Sequence, residues 1–231
     1  MSAVLHQELN ELAEPVWKEA VDHPFWAGIR DGSLPPRSLT VLVEQSAGHL
    51  LPAYARALAR TAAATRWEHH VSLLARAAVD TVQAGARLLG AHNGMCAEIG
   101  APPADPTAAV AAATHAHTAF LHAATDSSVA AGMGALLPLA WFQQRITDDL
   151  RARRQAGSRY EAWTEMYHPG SAYARTVSEL VAAYDELGEL MSGPGRTELV
   201  TYFTMGLRYT HAVTEAAWTH ADWPTRTSGT V

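Results

Sequence analysis

The sequence predicts an all-α protein, a single bundle of about seven helices with a site in its core. Three observations carry that expectation. The long segments repeat apolar residues at helical spacing, and no window alternates apolar and polar residues long enough for a strand. The breaks between segments hold Pro and Gly where helices start and stop.

The elements follow in order. Residues 3–22 place Leu5, Leu9, Leu12, Val16 and Ala20 on one stripe. Asp22-His23-Pro24 ends that pattern, Asp31 to Pro36 reads as a turn, and Pro36 or Arg37 opens the next helix. That helix runs to about Ala64, with Leu39, Leu42, Val43, Leu50, Tyr54 and Leu58 as core positions and a kink expected at Pro52. Residues 67–99 form a further helix, stopped by Gly100 and by Pro102, Pro103 and Pro106. Residues 107–124 and 127–155 read as two more, the second kinked near Pro138. Residues 160–167 make a short helix ended by His168-Pro169-Gly170, residues 172–191 the next, and residues 196–222 the last. Residues 1–222 are thus expected as one domain, with 223–231, rich in Pro, Thr, Ser and Gly, as a loose tail.

Composition excludes several classes. The chain has 231 residues, 48% of them apolar and 17% charged, which is a globular composition and enough chain for a sizeable core. No apolar run reaches the roughly 20 residues a bilayer needs, so no membrane contact is expected. A net charge of −6 with scattered arginines argues against nucleic acid. A single cysteine, Cys96, excludes an intramolecular disulfide framework and a Cys-rich zinc site. Residues 1–14 carry Glu8, Glu11 and Glu14 without a basic cluster, unlike a targeting peptide, and the expected location is the cytoplasm. Lys18 is the only lysine among 17 basic residues and alanine is the commonest residue, which reads as genomic bias.

The chemical signal is 12 histidines. His211 and Glu215, at i and i+4, share a helix face and suit a metal, a base with its orienting partner, or a surface pair. Ser46 and His49, three apart, can face one cavity, whereas Glu44 and His49 diverge. His115 and His122 read as solvated. Glu68-His69-His70 reads as a helix start with a polar face and lacks the HExxH spacing of a zinc protease. Cys96, late in a helix, reads as an inert thiol. Tyr160-x-x-Trp163-x-x-x-Tyr167 sets three aromatics on one face, as core packing or as a binding wall.

An ordered set of motifs resembles the thiaminase II (TenA) family over about residues 15–220. It opens with His23-Pro24-Phe25-Trp26 through Gly32-Ser33-Leu34-Pro35. It continues with Leu42-Val43-Glu44-Gln45-Ser46 and Ala53-Tyr54-Ala55-Arg56, His92 before Ile99-Gly100, Ala135-Leu136-Leu137-Pro138-x-x-Trp141, the Tyr160–Tyr167 stripe, and Arg208-Tyr209. The resemblance implies a haem-oxygenase-like helical bundle, assembled as a homodimer or homotetramer. It also implies hydrolysis at an aminopyrimidine methylene, with an aspartate binding the pyrimidine, a cysteine as nucleophile and a glutamate handling the proton. Here those positions hold Ser46, Leu139 and Thr210. The family's aromatic pocket positions correspond to His49 and His117, with Trp141, Trp163 and Tyr167 kept.

Leu139 forms no covalent intermediate, Thr210 is no acid or base near neutral pH, and Ser46 makes no charge-assisted contact. The expectation is an enzyme of specialised metabolism that acts on a small, fairly hydrophobic organic substrate without metal or cofactor, and does not hydrolyse thiamin. In it His49 and His117 move protons, Tyr167 bonds an oxyanion and Glu215 orients His211; Ser46, Leu139, Trp141, Trp163, Thr210 and His211 contact substrate. Pyrroloquinoline-quinone synthase offers an analogy for a metal-free, histidine-rich pocket on this fold. One alternative is a diiron oxidase binding Fe through Glu44, His92, His211 and Glu215, although Leu89 and Trp218 stand where further ligands belong. The others are a non-catalytic small-molecule binder and, on His23 alone, a haem protein.

Overall fold

Between Ala130 and Phe142 the chain is apolar on nearly every face, and a helix with no polar side must lie inside. In the computed structural model, which describes residues 4–191 and 193–223, that segment is the core of α7 (Val129–Arg153). Around it stand α1 (Leu5–Val21), α2 (Pro24–Asp31), α3 (Pro36–Gln45), a π-helical turn (Ser46–Leu50), α4 (Leu51–Ala64), α5 (Glu68–Ile99), α6 (Ala112–Ser127), α8 (Glu161–Tyr167), α9 (Gly170–Leu190) and α10 (Gly193–Thr219). No strand occurs among the described residues, and no helix is long and apolar enough to cross a membrane. The tail expected over 223–231 lies, beyond Trp223, outside the described residues.

The helices share one apolar core. Its tightest seam joins α7 to α10, where small residues let backbones approach. A Cβ on Gly206 would stand 2.8 Å from Pro138 Cγ. α7 runs through Pro138 without a break, and two buried tyrosines bond the backbone beside it: Tyr54 donates to the Leu136 carbonyl at 2.8 Å, and Tyr184 accepts from Leu137 N–H at 3.1 Å.

Four departures from the sequence reading have physical causes. The buried stripe of α1 is Leu5, Leu9, Ala13, Trp17 and Ala20, while Leu12 is 43% exposed. Those five residues recur at spacings of four and three, the α-helical repeat, which puts Leu12 one position off the stripe. Residues 24–31, assigned to no element from the sequence, form α2: Pro24 starts it, His23 Nδ1 caps it by accepting from Phe25 N–H at 3.1 Å, and Gly32 ends it at φ 84°. This eight-residue helix is too short to show periodicity, and Phe25, Trp26 and Ile29 anchor it.

Residues 36–64 are not one helix kinked at Pro52. Pro52 has no N–H to give the Gly48 carbonyl and its ring would strike it. The chain widens into the π turn just before the proline, which then sits in the first turn of α4.

Finally, α6 begins at Ala112, not 107, because the proline-rich stretch 101–111 is held as a loop. Gln45 pins it twice, donating to the Ala109 carbonyl at 3.0 Å and accepting from Ala111 N–H at 2.8 Å. Gly48 makes room for it, since a Cβ there would stand 2.5 Å from the Pro106 carbonyl oxygen.

Candidate functional site

α7 buries every residue from Ala130 to Phe142 except Leu139. One turn on, Gln143 shares its face and is also partly open. Gln143 Oε1 accepts from the Tyr167 hydroxyl at 2.8 Å, and Tyr173, partly open too, donates to the Ala140 carbonyl at 3.2 Å. Burial pushes the Tyr167 phenol up to about 12 and that of Tyr173 well above its ordinary value. Leu139 and Gln143 on α7, with Tyr167 and Tyr173 hydrogen-bonded beside them, thus form one partly accessible patch.

Other expected polar site residues lie on the π turn and α6. Ser46 and His49 are half-buried on the π turn, which packs on α6. Such turns widen a helix and re-aim its side chains, which is why they recur at functional sites. His49 Nε2 stands 2.8 Å from the Ala108 carbonyl and donates to it, so His49 carries its proton on Nε2 and its Nδ1 is a lone-pair acceptor.

His117, on α6, is fully buried between Tyr209, on which it stacks at 5.8 Å, and Phe120. Neither ring nitrogen has a partner among the described residues. Desolvation lowers its pKa to about 4, so it is neutral at pH 7, with one donor and one acceptor uncommitted. A buried imidazole with both nitrogens idle is costly unless something else satisfies it. Thr210 lies buried with its hydroxyl donated to the Gly206 carbonyl of its own helix at 2.9 Å.

Other expected site residues fall elsewhere. Trp141 stands two residues, hence about 200°, around α7 from Leu139. It packs in the core against Phe203 at 6.0 Å, with the Arg145 guanidinium over its ring at 5.2 Å. Trp163 is fully buried, stacked on Tyr167 at 4.3 Å, and backs that residue. Glu215 is exposed and does not orient His211: its carboxylate accepts from His23 Nε2 at 2.8 Å, in the tautomer fixed by the α2 cap. His211 stands edge-on to His23 and faces Glu19 at 3.6 Å.

The four iron-ligand candidates do not converge. Glu44 pairs with Arg37 at 3.1 Å and accepts from Asp105 N–H at 3.3 Å, and His92 lies between Thr40 and the Pro102 carbonyl, each at 3.3 Å. His211 and Glu215 belong to the His23 cluster. Cys96 is half-buried, with burial raising its thiol pKa. A hollow of about 630 Å³ at the start of α10, lined by Glu198, Thr201 and Tyr202 among others, includes none of the expected site residues.

Gln143, Tyr173 and Tyr209 were not anticipated. Gln143 was within reach of the sequence, because it lies one turn from Leu139.

This all-α bundle around a central, proline-containing helix has a haem-oxygenase-like fold. A domain of unknown function with a heme oxygenase-like fold from Shewanella denitrificans OS217 superposes with a TM-score of 0.70 at 14% identity, covering 95% of this chain and 94% of that one. A TenA homologue from P. horikoshii OT3 superposes with a TM-score of 0.77 at 22% identity, covering 94% and 99%. Within that class the chain belongs to the TENA/THI-4/PQQC family, whose model matches residues 11–220. It is 25% identical over 227 residues to an aminopyrimidine aminohydrolase of Halalkalibacterium halodurans, covering 93% of this chain and 96% of the relative.

Proposed function

We propose that this family member acts on a small, flat, largely apolar organic molecule by metal-independent acid–base chemistry in specialised metabolism, and does not hydrolyse thiamin or aminopyrimidines. The observation that supports this reading is the partly open patch of Leu139, Gln143, Tyr167 and Tyr173, read here as the floor of a ligand recess. Leu139 presents a hydrocarbon where the relatives' chemistry, as the resemblance implies it, uses a thiol, and the Thr210 hydroxyl is spent on its own helix. Ser46 in place of a carboxylate makes no charge-assisted contact with a cationic or amidine-like ring.

The remaining groups favour a neutral ligand. His117 offers one donor and one acceptor from a neutral ring, on nitrogens that point apart, so it suits a single uncharged polar group of a ligand at either one. His49, its Nε2 proton held by Ala108, takes a proton at Nδ1. Tyr167 remains a phenol at neutral pH and, turned from Gln143, donates to an oxygen on which charge develops. The floor side chain replaces a polar contact with apolar area worth roughly 1.5–3 kcal/mol, one to two orders of magnitude in ligand preference.

The test incubates the purified full chain with thiamin and with aminopyrimidines and follows the released pyrimidine alcohol. Wild type and Leu139→Cys are both expected to stay at background, with Leu139→Cys fully folded. Native mass spectrometry of the chain as purified then reports any co-purified ligand, whose retention His117→Ala should abolish and His115→Ala should not. Thiamin turnover in the ordinary enzymatic range of about 1–1000 per second would refute the proposal.

A further inference from the structure

A second cluster lies outside the recess and plays no part in the reading above. At the start of α5, His69 and His70 both direct Nε2 at one carboxylate oxygen of Glu186 on α9, at 2.8 and 3.1 Å. Among the described residues, theirs is the one group of three His, Cys, Asp or Glu donor atoms found within 4.8 Å of one another. The two rings stand edge to face, 4.3 Å between centres.

We propose that His69, His70 and Glu186 form a three-ligand site for Zn²⁺ that clamps α5 to α9. The donor set, two imidazoles and a carboxylate, suits a borderline divalent ion of the zinc type. Zinc–ligand bonds of about 2.0–2.2 Å at tetrahedral angles set neighbouring donors roughly 3.3–3.5 Å apart. The two nitrogen-to-oxygen separations are just short of that, and all three donor atoms lie within 4.8 Å of one another, so an ion would take the place of the two N–H···O bonds with a modest opening of the side chains.

The environment is graded in the way such a site needs. His70 is buried, with Trp67 against its ring at 5.4 Å, and so holds a fixed geometry. His69 and Glu186 are 61% and 37% exposed, which gives the ion a path in and leaves its fourth position to water. His70 Nδ1 lacks the outer hydrogen bond that usually steadies a metal-bound imidazole. That places the site among moderate binders, not among permanently loaded structural zincs.

The experiment uses the full chain free of any histidine tag, stripped with chelator and titrated with Zn²⁺ by calorimetry and with Co²⁺ by visible absorption. One equivalent should bind saturably, with the intense d–d bands of a tetrahedral ion, and Zn²⁺ should raise the melting temperature. His69→Ala and Glu186→Gln change partly exposed side chains and should fold normally, yet weaken binding at least tenfold and remove the thermal shift. His115→Ala, at an unrelated exposed histidine, should change neither. Absence of saturable binding in the wild type, or equal affinity in wild type, His69→Ala and Glu186→Gln, overturns the proposal.

Discussion

Acidification should strike this fold at His117. Its ordinary pKa is 6.5 and burial holds it at about 4 in the folded chain, so the folded state refuses a proton that the unfolded state accepts. Above pH 6.5 both states are neutral there and nothing is lost. As pH falls from 6.5 towards 4, the unfolded chain binds more protons and stability declines; below 4 the loss is complete. Two and a half units at 1.36 kcal/mol each give about 3 kcal/mol, a large share of the 5–15 kcal/mol by which domains are typically stable. The perturbation is His117→Leu, which keeps an apolar filling against Tyr209 and Phe120 and removes the titration. Urea unfolding of both proteins at several pH values from 7 to 4 gives the difference between them. Carboxylates, and His92, whose pKa burial also lowers, titrate in both and cancel. The difference should move by about 3 kcal/mol in the variant's favour as pH drops. Parallel profiles would show that His117 is solvated or paired and would refute the argument.

Two further outcomes follow from close packing and from buried charge. Gly48→Ala places a methyl against the Pro106 carbonyl, a clash worth about 1–3 kcal/mol set against a helix-propensity gain of about 1. Gly90→Ala, on the open face of α5, receives the gain alone. Denaturation should show a net loss for the first and a small gain for the second, and equal values would remove the clash argument. Arg30→Met breaks the pair with Asp149 at 2.6 Å, whose side chains are 10% and 16% exposed, and strands a donor's partner inside. A loss of about 3 kcal/mol is expected in chemical denaturation, moderated by Arg153, which holds the same carboxylate at 2.7 Å; a loss under about 1 kcal/mol would mean the pair is solvated.

Periodicity and breakers made α5, α7, α9 and α10 legible in the sequence, because each spans many turns and stops at Gly, Pro or a polar cluster. They did not reveal α2, whose evidence is a cap and three anchors, nor the π turn, whose extra residue leaves no compositional mark. At the site, the stacking of Trp163 on Tyr167 follows from their i, i+4 spacing. The separation of Trp141 from Leu139 was equally available from helix geometry, but the resemblance drew both into one wall. The His23–Glu215 bond joins residues 192 apart in sequence and was beyond any local pattern. The convergence of His69 and His70 on Glu186 is of the same kind, since only the packing of α9 on α5 supplies the third donor.

The π turn at Ser46–Leu50 also bears on how this scaffold can change. A π turn holds one residue more than the α turn it replaces, so it behaves as a stored insertion whose flanks remain in phase with their partners. Losing one residue there, such as Ala47, would let α3 run on regularly into α4, still in phase, and re-aim only the side chains within the turn itself, Ser46 and His49 among them, while the loop pinned by Gln45 stays in place. Single-residue length changes at this spot therefore offer natural variation, or a designed library, a way to re-aim the polar side chains of the turn, and with them the wall of the proposed recess, in one step.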